Sequence, residues 1–316
     1  MTGAGVPAIP ASLVRAIAVY RGEEAGRAWL DTLPARIDGY LRRWRLTAQT
    51  IAEGGATSCC VYCVNDDRAP VVLKIPVDPA AGRAEACLLR WWADTDVAPA
   101  VLHDDPDTGV FVMSRIVPGS MLAGTPAADD AGAFSRLLTQ LHRPAPGPLP
   151  LLPDLAEVMN TRVGWARERA TDPRYTAPGD QPAAGAALDA ACSVLEVLLR
   201  TTRARHALHA DLHPRNILDG GQSWCVIDPF GAVGDINSDP AFWAVCQTGP
   251  HTIAPAAVLL DQLGAHPLLD PDRLRAWAWV VATLEYRPYQ DAGLAARMRE
   301  VTAAWTAAAL LDTVRV

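Results

Sequence analysis

Strand-like and helix-like segments occupy separate parts of this chain, and that separation constrains the fold more than any other feature of the 316-residue sequence. Residues 57–64 and 71–75 are rich in β-branched and other apolar residues and flank a short polar turn, so they predict an antiparallel hairpin. A helix is predicted over 82–94, and a further hairpin follows with strands at 98–102 and 110–113. The first third of the chain is therefore predicted to consist of antiparallel strands and one helix.

Helical segments dominate beyond Pro118-Gly119, the dipeptide that separates the two parts of the chain. A short strand–turn–strand between residues 216 and 227 interrupts them. Residues 1 to about 46 are also predicted to be helical, with a break or turn at Pro34. A β-rich part that leads into a helical part is an α+β architecture. The helices predicted in the second part cover residues 127–142, 154–169, 183–202, 272–287 and 294–314, with a Pro/Gly-rich loop at 144–153.

Charge and cysteine content limit the partners and the compartment that we expect. The formal net charge of −7 argues against a nucleic-acid partner, which would need a basic face, and is compatible with a cationic small molecule. The N-terminus lacks a basic start followed by an apolar run, and no stretch of 18 uncharged apolar residues occurs, so neither a signal peptide nor a membrane span is predicted. Seven cysteines, an odd number, predict reduced thiols in a cytoplasmic protein.

Lys74 is the only lysine among the 28 basic residues of the chain. A surface charge could have become arginine at little cost, whereas a site that needs a compact ammonium on a flexible stem could not. Lys74 lies in Val-Leu-Lys-Ile, in the second predicted strand. The alternative is that a single lysine was retained by chance. The motifs described next decide between a functional lysine and a chance one.

The segment from His209 to Leu218 fits the pattern H-x-D-x-x-x-x-N, with Asp211 and Asn216 at the two later positions. This is the catalytic-loop pattern of protein kinases and of their small-molecule relatives. Twelve residues after Asn216 comes Asp228, at the end of a predicted buried strand, where kinases place a metal-binding aspartate. The motif predicts phosphoryl transfer.

Phosphoryl transfer needs positioning and charge neutralisation more than covalent chemistry, and these residue types supply both. We assign Asp211 to orient the acceptor hydroxyl and take its proton. Mg²⁺ prefers hard oxygen ligands, so Asn216 and Asp228 are assigned to the metal. The Lys74 ammonium would contact the α- and β-phosphates of ATP, with Glu85, eleven residues later in the next helix, as its acidic partner.

Several of these residues have simpler interpretations. His209, Asp211 and His213 with Asp228 could form a metal-hydrolase cluster, although that leaves Asn216 unexplained. His209 is expected to support the loop rather than to react.

Three other features keep alternatives open. Glu85 could be a solvent-facing helical residue. The run Gly54-Gly55-Ala56-Thr57-Ser58 could cover the phosphates with backbone N–H groups, or its glycines could serve a turn. The thiols of Cys59, Cys60 and Cys63 could bind zinc, but no second ligand pair follows at a suitable spacing, so a buried strand is favoured.

Residues 209–218 and the run Ile-Asp-Pro-Phe-Gly-Ala-Val-Gly-Asp at 227–235 resemble the aminoglycoside phosphotransferases. More narrowly, they resemble the branch with streptomycin 6-kinases and the hydroxyurea- and viomycin-type resistance kinases, which carries I-D-P-x-G-x-x-G-[DE] in place of D-F-G. Further similar segments lie at 54–58, 72–74, 84–92, 137–146 and 238–241, so the resemblance spans roughly residues 44 to 290.

The resemblance implies a two-lobed protein-kinase-like fold with a small β-rich N-lobe over residues 1–116 and a larger helical C-lobe over 117–316. ATP would bind between the lobes, with Mg²⁺ between Asn216 and Asp228. The family position of Phe230 often carries a basic residue, and this chain departs from it. The nucleotide contacts implied beside Lys74 and Glu85 are Ser58 and a hinge at Met113, Ser114, Arg115 and Ile116, whose backbone would meet adenine.

The implied activity is ATP- and Mg²⁺-dependent transfer of a phosphoryl group to a hydroxyl of a small cationic antibiotic such as streptomycin. Carboxylates in the C-lobe would pair with its amines or guanidines. Asp239 precedes Pro240 and could instead support a helix, the more expected role. The candidate acceptor residues are Asp235, Asp239, Glu285 and Tyr286.

Two other functions remain open from the sequence. One is a metabolic kinase of the same fold that acts on choline, a nucleoside or a sugar. The other is a nucleotide-binding pseudokinase, although such proteins usually lose one of the four residues Lys74, Asp211, Asn216 and Asp228 that this chain keeps. The identity of the acceptor, the choice of ATP over GTP and the oligomeric state are left open.

Overall fold

The structure, a computed structural model, describes residues 6–53, 55, 57–123, 131–142, 151–247, 254–287 and 292–314. The chain separates into two compact units, Met1–Val117 and Pro118–Val316.

The first unit contains a five-stranded antiparallel sheet and three helices. The strand order is β1-β2-β3-β5-β4, so each strand pairs with its sequence neighbour except where β5 lies between β3 and β4. The elements are α1 (Ala11–Arg21), α2 (Glu23–Arg43), β1 (Thr47–Ile51), β2 (Ser58–Val64), β3 (Pro70–Pro76), α3 (Pro79–Trp91), β4 (Val101–Asp105) and β5 (Val110–Ser114).

The two faces of this sheet have different surroundings, because successive side chains along a strand point to opposite faces. One face packs against α1 and α2, and its buried residues are Cys59, Val61, Cys63, Val71, Leu73, Ile75, Val110 and Val112. Lys74 is one residue out of phase with this set, so it lies on the other face. Its cross-strand neighbours there are Cys60 in β2 and Phe111 in β5.

Four features of this unit differ from the sequence prediction. The strand β1 was not predicted, and β4 begins at Val101 rather than at 98, since Pro99 lacks the N–H that a strand interior needs. Helix α3 begins earlier than predicted because Asp78 caps it, accepting a hydrogen bond from Ala80 N at 2.9 Å. Pro34 does not break α2, whose buried residues Gly26, Leu33, Ile37 and Leu41 lie on both sides of it.

The second unit is mostly helical and carries two two-stranded sheets, β6–β9 and β7–β8. Its largest fully buried side chains are Phe134, Trp243 and Trp277, and the first two rings stack at 4.0 Å. The elements are α4 (Ala131–Leu141), α5 (Leu155–Thr171), α6 (Gln181–Thr201), β6 (His206–Leu208), β7 (Ile217–Asp219), β8 (Trp224–Val226), β9 (Ala232–Gly234), α7 (Ser238–Val245), α8 (Ala256–Gly264), α9 (Pro271–Leu284), α10 (Ala292–Ala304) and α11 (Ala307–Val314).

Strands β6 and β9 and helices α7 and α8 were missed from the sequence, as expected for elements of three to nine residues. The single helix predicted over 294–314 is two helices, since Thr306 begins a new one by accepting a hydrogen bond from Ala309 N. Residues 127–130 of one predicted helix and 144–150 of the predicted loop lie outside the described residues.

Within the described part of the chain, α6 is the one helix that is long and apolar enough to cross a membrane, by length and composition alone. Its buried face, which includes Leu188, Val194, Leu195 and Leu198, packs within the unit against α5, α9 and α11.

Candidate active site

Lys74 and Glu85 form a buried ion pair in the first unit. Lys74 Nζ donates to Glu85 Oε1 at 2.6 Å, and the two side chains are 4% and 7% exposed. Strand β3 presents the ammonium and helix α3 presents the carboxylate. Glu85 is therefore not the solvent-facing residue of the simpler interpretation.

Burying this ion pair costs free energy, so the need for a packed core does not by itself explain why two charged residues lie here. Removing two charges from water costs several kcal/mol per ion, and an apolar pair of similar volume is often as stable. The arrangement keeps one ammonium group at a fixed place on the sheet.

The predicted hinge follows β5 and is tied to its neighbours by the backbone. Ser114 N donates to Ala100 O at 2.9 Å, and Arg115 N donates to Pro70 O at 3.1 Å. The Arg115 guanidinium packs over the ring of Tyr62 at 4.1 Å. Within the part of the chain that the structure describes, the backbone of Ile116 makes no hydrogen bond.

The remaining nucleotide candidates of the first unit lie on strands of the sheet. Ser58 begins β2 and is 6% exposed, and Met113 in β5 pairs with Val72 and Val101. Of the predicted phosphate-covering run, Gly54 and Ala56 lie outside the described residues, and Gly55 adopts a φ of +88°.

In the second unit, His209 ties the H-x-D loop to the segment that carries Asp228. His209 is fully buried, its Nε2 contacts Ile227 O at 3.0 Å, and its Nδ1 accepts from Asp211 N at 3.3 Å. Burial lowers the pKa of His209, which keeps the ring neutral and suits one donor and one acceptor nitrogen. The supporting role expected for His209 matches this geometry.

Two residues of the site hold left-handed backbone conformations that non-glycine residues rarely adopt. Ala210 has φ +61° and Asp228 has φ +59°. Such conformations cost of order 1–3 kcal/mol and cluster at functional sites. Asp239 stabilises the first of them, because its carboxylate accepts from His209 N at 2.8 Å and from Ala210 N at 2.9 Å.

Asp211 is held through both carboxylate oxygens and stays partly exposed, at 38% of its side chain. Arg162 Nη2 donates to Oδ1 at 2.8 Å, and Asn216 Nδ2 contacts Oδ2 at 3.2 Å. Asn216 Nδ2 also donates to Asp211 O at 2.9 Å, so two acceptors fix the orientation of the amide. The amide oxygen of Asn216 is thereby the atom that faces away from Asp211 and suits a metal ion.

Asp228 is brought next to Asn216 by the β7–β8 hairpin. Ile227 N donates to Asn216 O at 2.9 Å, one step beyond the last strand pair, Ile217 and Val226. Asp228 and Phe230 are exposed, whereas Pro229 between them is buried. The exposed carboxylate of Asp228 and the amide oxygen of Asn216, on neighbouring stretches of backbone, are hard oxygen donors of the kind that Mg²⁺ prefers, so the residues present fit the metal.

Helix α5 is positioned by β9, and it carries Arg162, which the sequence analysis missed. Gly234 lies so close to Leu155, at the start of α5, that an added Cβ would stand 2.4 Å from Leu155 Cβ. Val233 N donates to Pro153 O at 2.9 Å in the same region. The sequence did contain a signal that this arginine is buried. Arg162 lies four residues after Val158 and four before Ala166, on the buried face of α5.

The acceptor candidates are mostly engaged within the protein. Asp235 is 3% exposed and contacts Arg273 Nε at 2.9 Å and Trp277 Nε1 at 2.7 Å. Glu285 Oε1 and Oε2 accept from Arg162 and Arg287 at 2.8 and 2.7 Å. Tyr286 is half-buried, and its hydroxyl accepts from Arg299 at 2.7 Å.

Asp239 is completely buried, and its Oδ2 is 2.9 Å from His142 Nε2. Burial would raise the pKa of the Asp239 carboxyl, but the hydrogen bond and charge of His142 outweigh it, so the pKa lies below its ordinary value. An ionised Asp239 with this set of partners supports the loop rather than a ligand. The geometry fits the supporting role that the sequence favoured for Asp239 over a role in acceptor binding.

The alternative metal sites have little support in the part of the chain that is described. No group of three or more His, Cys, Asp or Glu residues there is placed to hold a metal ion. His213 Nδ1 accepts from Arg215 N at 3.2 Å, so it caps the turn at Pro214–Asn216. Burial raises the pKa of Cys59 to about 12 and of Cys63 to about 11, which keeps these thiols protonated.

Comparison with known proteins gives concordant results. Residues 43–293 match the model of a family described as aminoglycoside/hydroxyurea antibiotic resistance kinase. Streptomycin 6-kinase of Streptomyces glaucescens is 32% identical over 234 residues, which cover 73% of this chain and 72% of that protein. Hydroxyurea phosphotransferase of Kitasatospora aureofaciens is 29% identical over 276 residues, which cover 85% of this chain and 76% of that protein.

Among solved structures, a choline/ethanolamine kinase family protein from Mesorhizobium loti has a TM-score of 0.59 at 19% identity, covering 85% of this chain and 92% of that chain. At 19% identity this similarity shows a shared fold only. The protein-kinase-like α+β fold expected from the sequence is confirmed.

Proposed function

We propose a substrate and a mechanism on one premise: the chain belongs to the aminoglycoside/hydroxyurea antibiotic resistance kinase family and is a phosphotransferase with an alcohol group as acceptor. The substrate that we propose is a hydroxyl group of a small cationic antibiotic, with streptomycin as the first candidate. One observation carries the proposal: Asp211 is fixed through both carboxylate oxygens and yet remains partly exposed, as a base that must meet a hydroxyl group has to be.

In this mechanism, the second unit supplies catalysis and acceptor binding, and the first unit supplies most of the nucleotide contacts. Asp211 orients the acceptor hydroxyl and takes its proton as the acceptor oxygen bonds to the γ-phosphorus of ATP, while the bond from that phosphorus to the β,γ-bridging oxygen breaks and ADP leaves. Asn216 and Asp228 would provide oxygen ligands for Mg²⁺, which, when bound, would neutralise charge on the phosphates of ATP.

Lys74 would contact the phosphates, and Glu85 keeps its ammonium in place through the 2.6 Å contact. Ser58, at the start of β2, would lie near the phosphates. The hinge residues Met113, Ser114 and Ile116 would contact adenine through the backbone, with the Ile116 N–H as the principal donor. These assignments follow the family pattern at the matching positions of this chain.

We assign fewer residues to acceptor binding than the four candidates of the sequence analysis. Asp235, Asp239 and Glu285 already neutralise internal partners, so we assign them to the architecture of the unit. Tyr286 stays a candidate for acceptor contact. Phe230, 42% exposed two residues after Asp228, is a second candidate because it offers an apolar surface beside the reacting groups.

The experiment is a screen of ATP consumption by the purified protein with Mg²⁺ and a panel of acceptors. The panel includes streptomycin, hydroxyurea, choline, a nucleoside and a simple sugar, and mass spectrometry identifies the phosphorylated product. We expect phosphorylated streptomycin, with turnover lowered ~10²–10⁴-fold in Asp211→Asn because the base is lost. Hydroxyurea is the second candidate acceptor, since the relative named hydroxyurea phosphotransferase matches over 85% of this chain.

Two outcomes would overturn the proposal. Phosphorylation of choline or of the nucleoside in preference to both antibiotics would identify a metabolic kinase. Nucleotide binding, measured by calorimetry, without turnover of any acceptor would identify a pseudokinase. Repeating the assay with GTP as donor determines the nucleotide preference.

A further inference from the structure

Arg162 joins three segments that are far apart in the sequence. One nitrogen, Nη2, donates to both Ala210 O and Asp211 Oδ1, each at 2.8 Å. The other, Nη1, donates to Glu285 Oε1 at 2.8 Å. The first two partners lie 48 and 49 residues away, and Glu285, at the end of α9, lies 123 residues away.

The burial of this guanidinium is not what a purely structural position requires. Arg162 is 6% exposed, lies on the apolar face of α5 and packs over the ring of Phe242 at 4.5 Å. Its Nε is buried without a hydrogen-bond partner among the described residues. Apolar side chains at such positions are often as stable as buried ions, so a charge kept there suggests a second requirement.

The charges around Arg162 are arranged so that it stays ionised. Burial lowers the pKa of Arg162, but the neighbouring carboxylates of Glu285 and Asp211 raise it well above its ordinary value. Glu285 is in turn shared with Arg287, at 2.7 Å. The guanidinium is therefore a permanent, oriented donor, and its fork geometry fixes the direction of each hydrogen bond.

The consequence for Asp211 is that its two oxygens become different. Oδ1 is taken by Arg162 at 2.8 Å, whereas Oδ2 has the longer 3.2 Å contact with Asn216 Nδ2 and keeps a second lone pair. Because the same Arg162 nitrogen also binds Ala210 O, the peptide before Asp211, with its φ of +61°, is fixed together with the carboxylate.

From this geometry we infer that Arg162 is the positioning residue of the base, which selects Oδ2 of Asp211 as the oxygen that meets the acceptor hydroxyl. This inference rests on the proposed function, in which Asp211 is that base. Arg162 need not touch either substrate. It acts by keeping Asp211 in one rotamer, since a displacement of about 1 Å at a reacting group can lower the rate ~10²-fold.

The test compares Arg162→Met with wild type, using the acceptor that the screen identifies. We expect kcat to fall on the order of 10²-fold, with KM for ATP changed less than about threefold, because the nucleotide groups are untouched. Arg297→Met is the matched control. Arg297 is also buried, at 8% exposure, but its nitrogens bind the backbone oxygens of Ala244 and Ala254, so its loss should lower the melting temperature and leave kcat of the folded protein unchanged.

A double-mutant cycle distinguishes positioning from structural support. If Arg162 acts through Asp211, Arg162→Met adds no further loss of kcat in an Asp211→Asn background, since residues that act as a unit are not additive. Independent, multiplicative losses would overturn the inference. Near wild-type turnover of Asp211→Asn alone would instead overturn the proposed function, so the two failures are distinguishable.

A second variant and a rescue experiment apply if Arg162→Met does not fold. Arg162→Lys keeps the charge but cannot reach three acceptors as a fork, so we expect a folded protein with a lowered kcat. In Arg162→Ala, added guanidinium ion should restore part of kcat, and it should restore none in the Arg162→Ala/Asp211→Asn double variant. Equal kcat in Arg162→Lys and wild type, or no rescue in a folded Arg162→Ala, would overturn the inference.

Discussion

The ion pair in the first unit and the charge network in the second unit keep their functional groups in place by different means. Lys74 donates to Glu85, eleven residues later, and both side chains are almost completely buried. Asp211 is partly exposed and is held by Arg162, which is itself held by Glu285. Loss of Glu85 removes the carboxylate that faces a buried ammonium, whereas loss of Glu285 leaves Arg162 bound to Ala210 O and to the partly exposed Asp211. The comparison therefore predicts different responses to similar substitutions.

The largest loss of unfolding free energy is expected at the buried ion pair of Lys74 and Glu85. Glu85→Gln leaves the Lys74 ammonium buried without its carboxylate and should lower the unfolding free energy by about 3–5 kcal/mol. The double variant Lys74→Met/Glu85→Leu should recover most of that stability, because a packed apolar pair can replace a buried ion pair. Denaturant titration with circular dichroism measures both. The comparison fails if the double variant is no more stable than Glu85→Gln.

A smaller effect is expected at the corresponding carboxylate of the network. Glu285→Gln retains an oxygen that can accept from Arg162, which also keeps Ala210 O and Asp211 as partners. The unfolding free energy should therefore fall by only about 1–2 kcal/mol, the usual cost of a weakened hydrogen bond to a charged group. The same titration applies, and a loss as large as that of Glu85→Gln would remove the distinction between pair and network.

The H-x-D loop should also make stability depend on pH. Burial is the main cause that lowers the pKa of His213 to about 4, against an ordinary value of 6.5. Between these values the unfolded chain binds a proton that the folded chain does not, so stability should fall as the pH drops from about 6.5 towards 4, by at most about 1.4 kcal/mol per pH unit. His213→Asn, which can still cap the turn, should flatten that slope. Urea midpoints measured across this range provide the check.

The smallest effect concerns the strained backbone before Asp211. Ala210→Gly relieves a φ of +61° and should raise the unfolding free energy by up to about 1 kcal/mol, after the added freedom of the unfolded chain is subtracted. Ala207→Gly, in strand β6, is the matched control and should lower it by about 0.5–1 kcal/mol. Equal signs for the two variants would show that Ala210 is not strained.

The sequence predicts the local features of this protein well and the long-range ones poorly. The β2–β3 hairpin and the pairing of Lys74 with Glu85 follow from patterns within a span of about 30 residues. The H-x-D motif identifies Asp211 but not how its carboxylate is held.

What escaped prediction depends on pairings across long stretches of chain. Arg162 meets Asp211 because α5 packs on β9, and β6 pairs with β9 across the H-x-D loop and the β7–β8 hairpin that lie between them in the sequence. The pairing of Asp235 with Arg273 and of Glu285 with Arg162 was missed in the sequence because these partners are 38 and 123 residues apart. No local pattern records such contacts.

Helices α1 and α2 have a consequence for any attempt to shorten this protein. The region that matches the family begins at the last residue of α2, so a chain trimmed to that region would lose Leu13, Ile17, Leu33, Ile37 and Leu41. The sheet face beneath them carries Leu73, Ile75 and Val112, all completely buried at present. Uncovering that face would expose a contiguous apolar surface, and such surfaces drive aggregation. Helices α1 and α2 thus cover one face of the sheet, and we expect a chain trimmed to the homologous region to aggregate rather than fold.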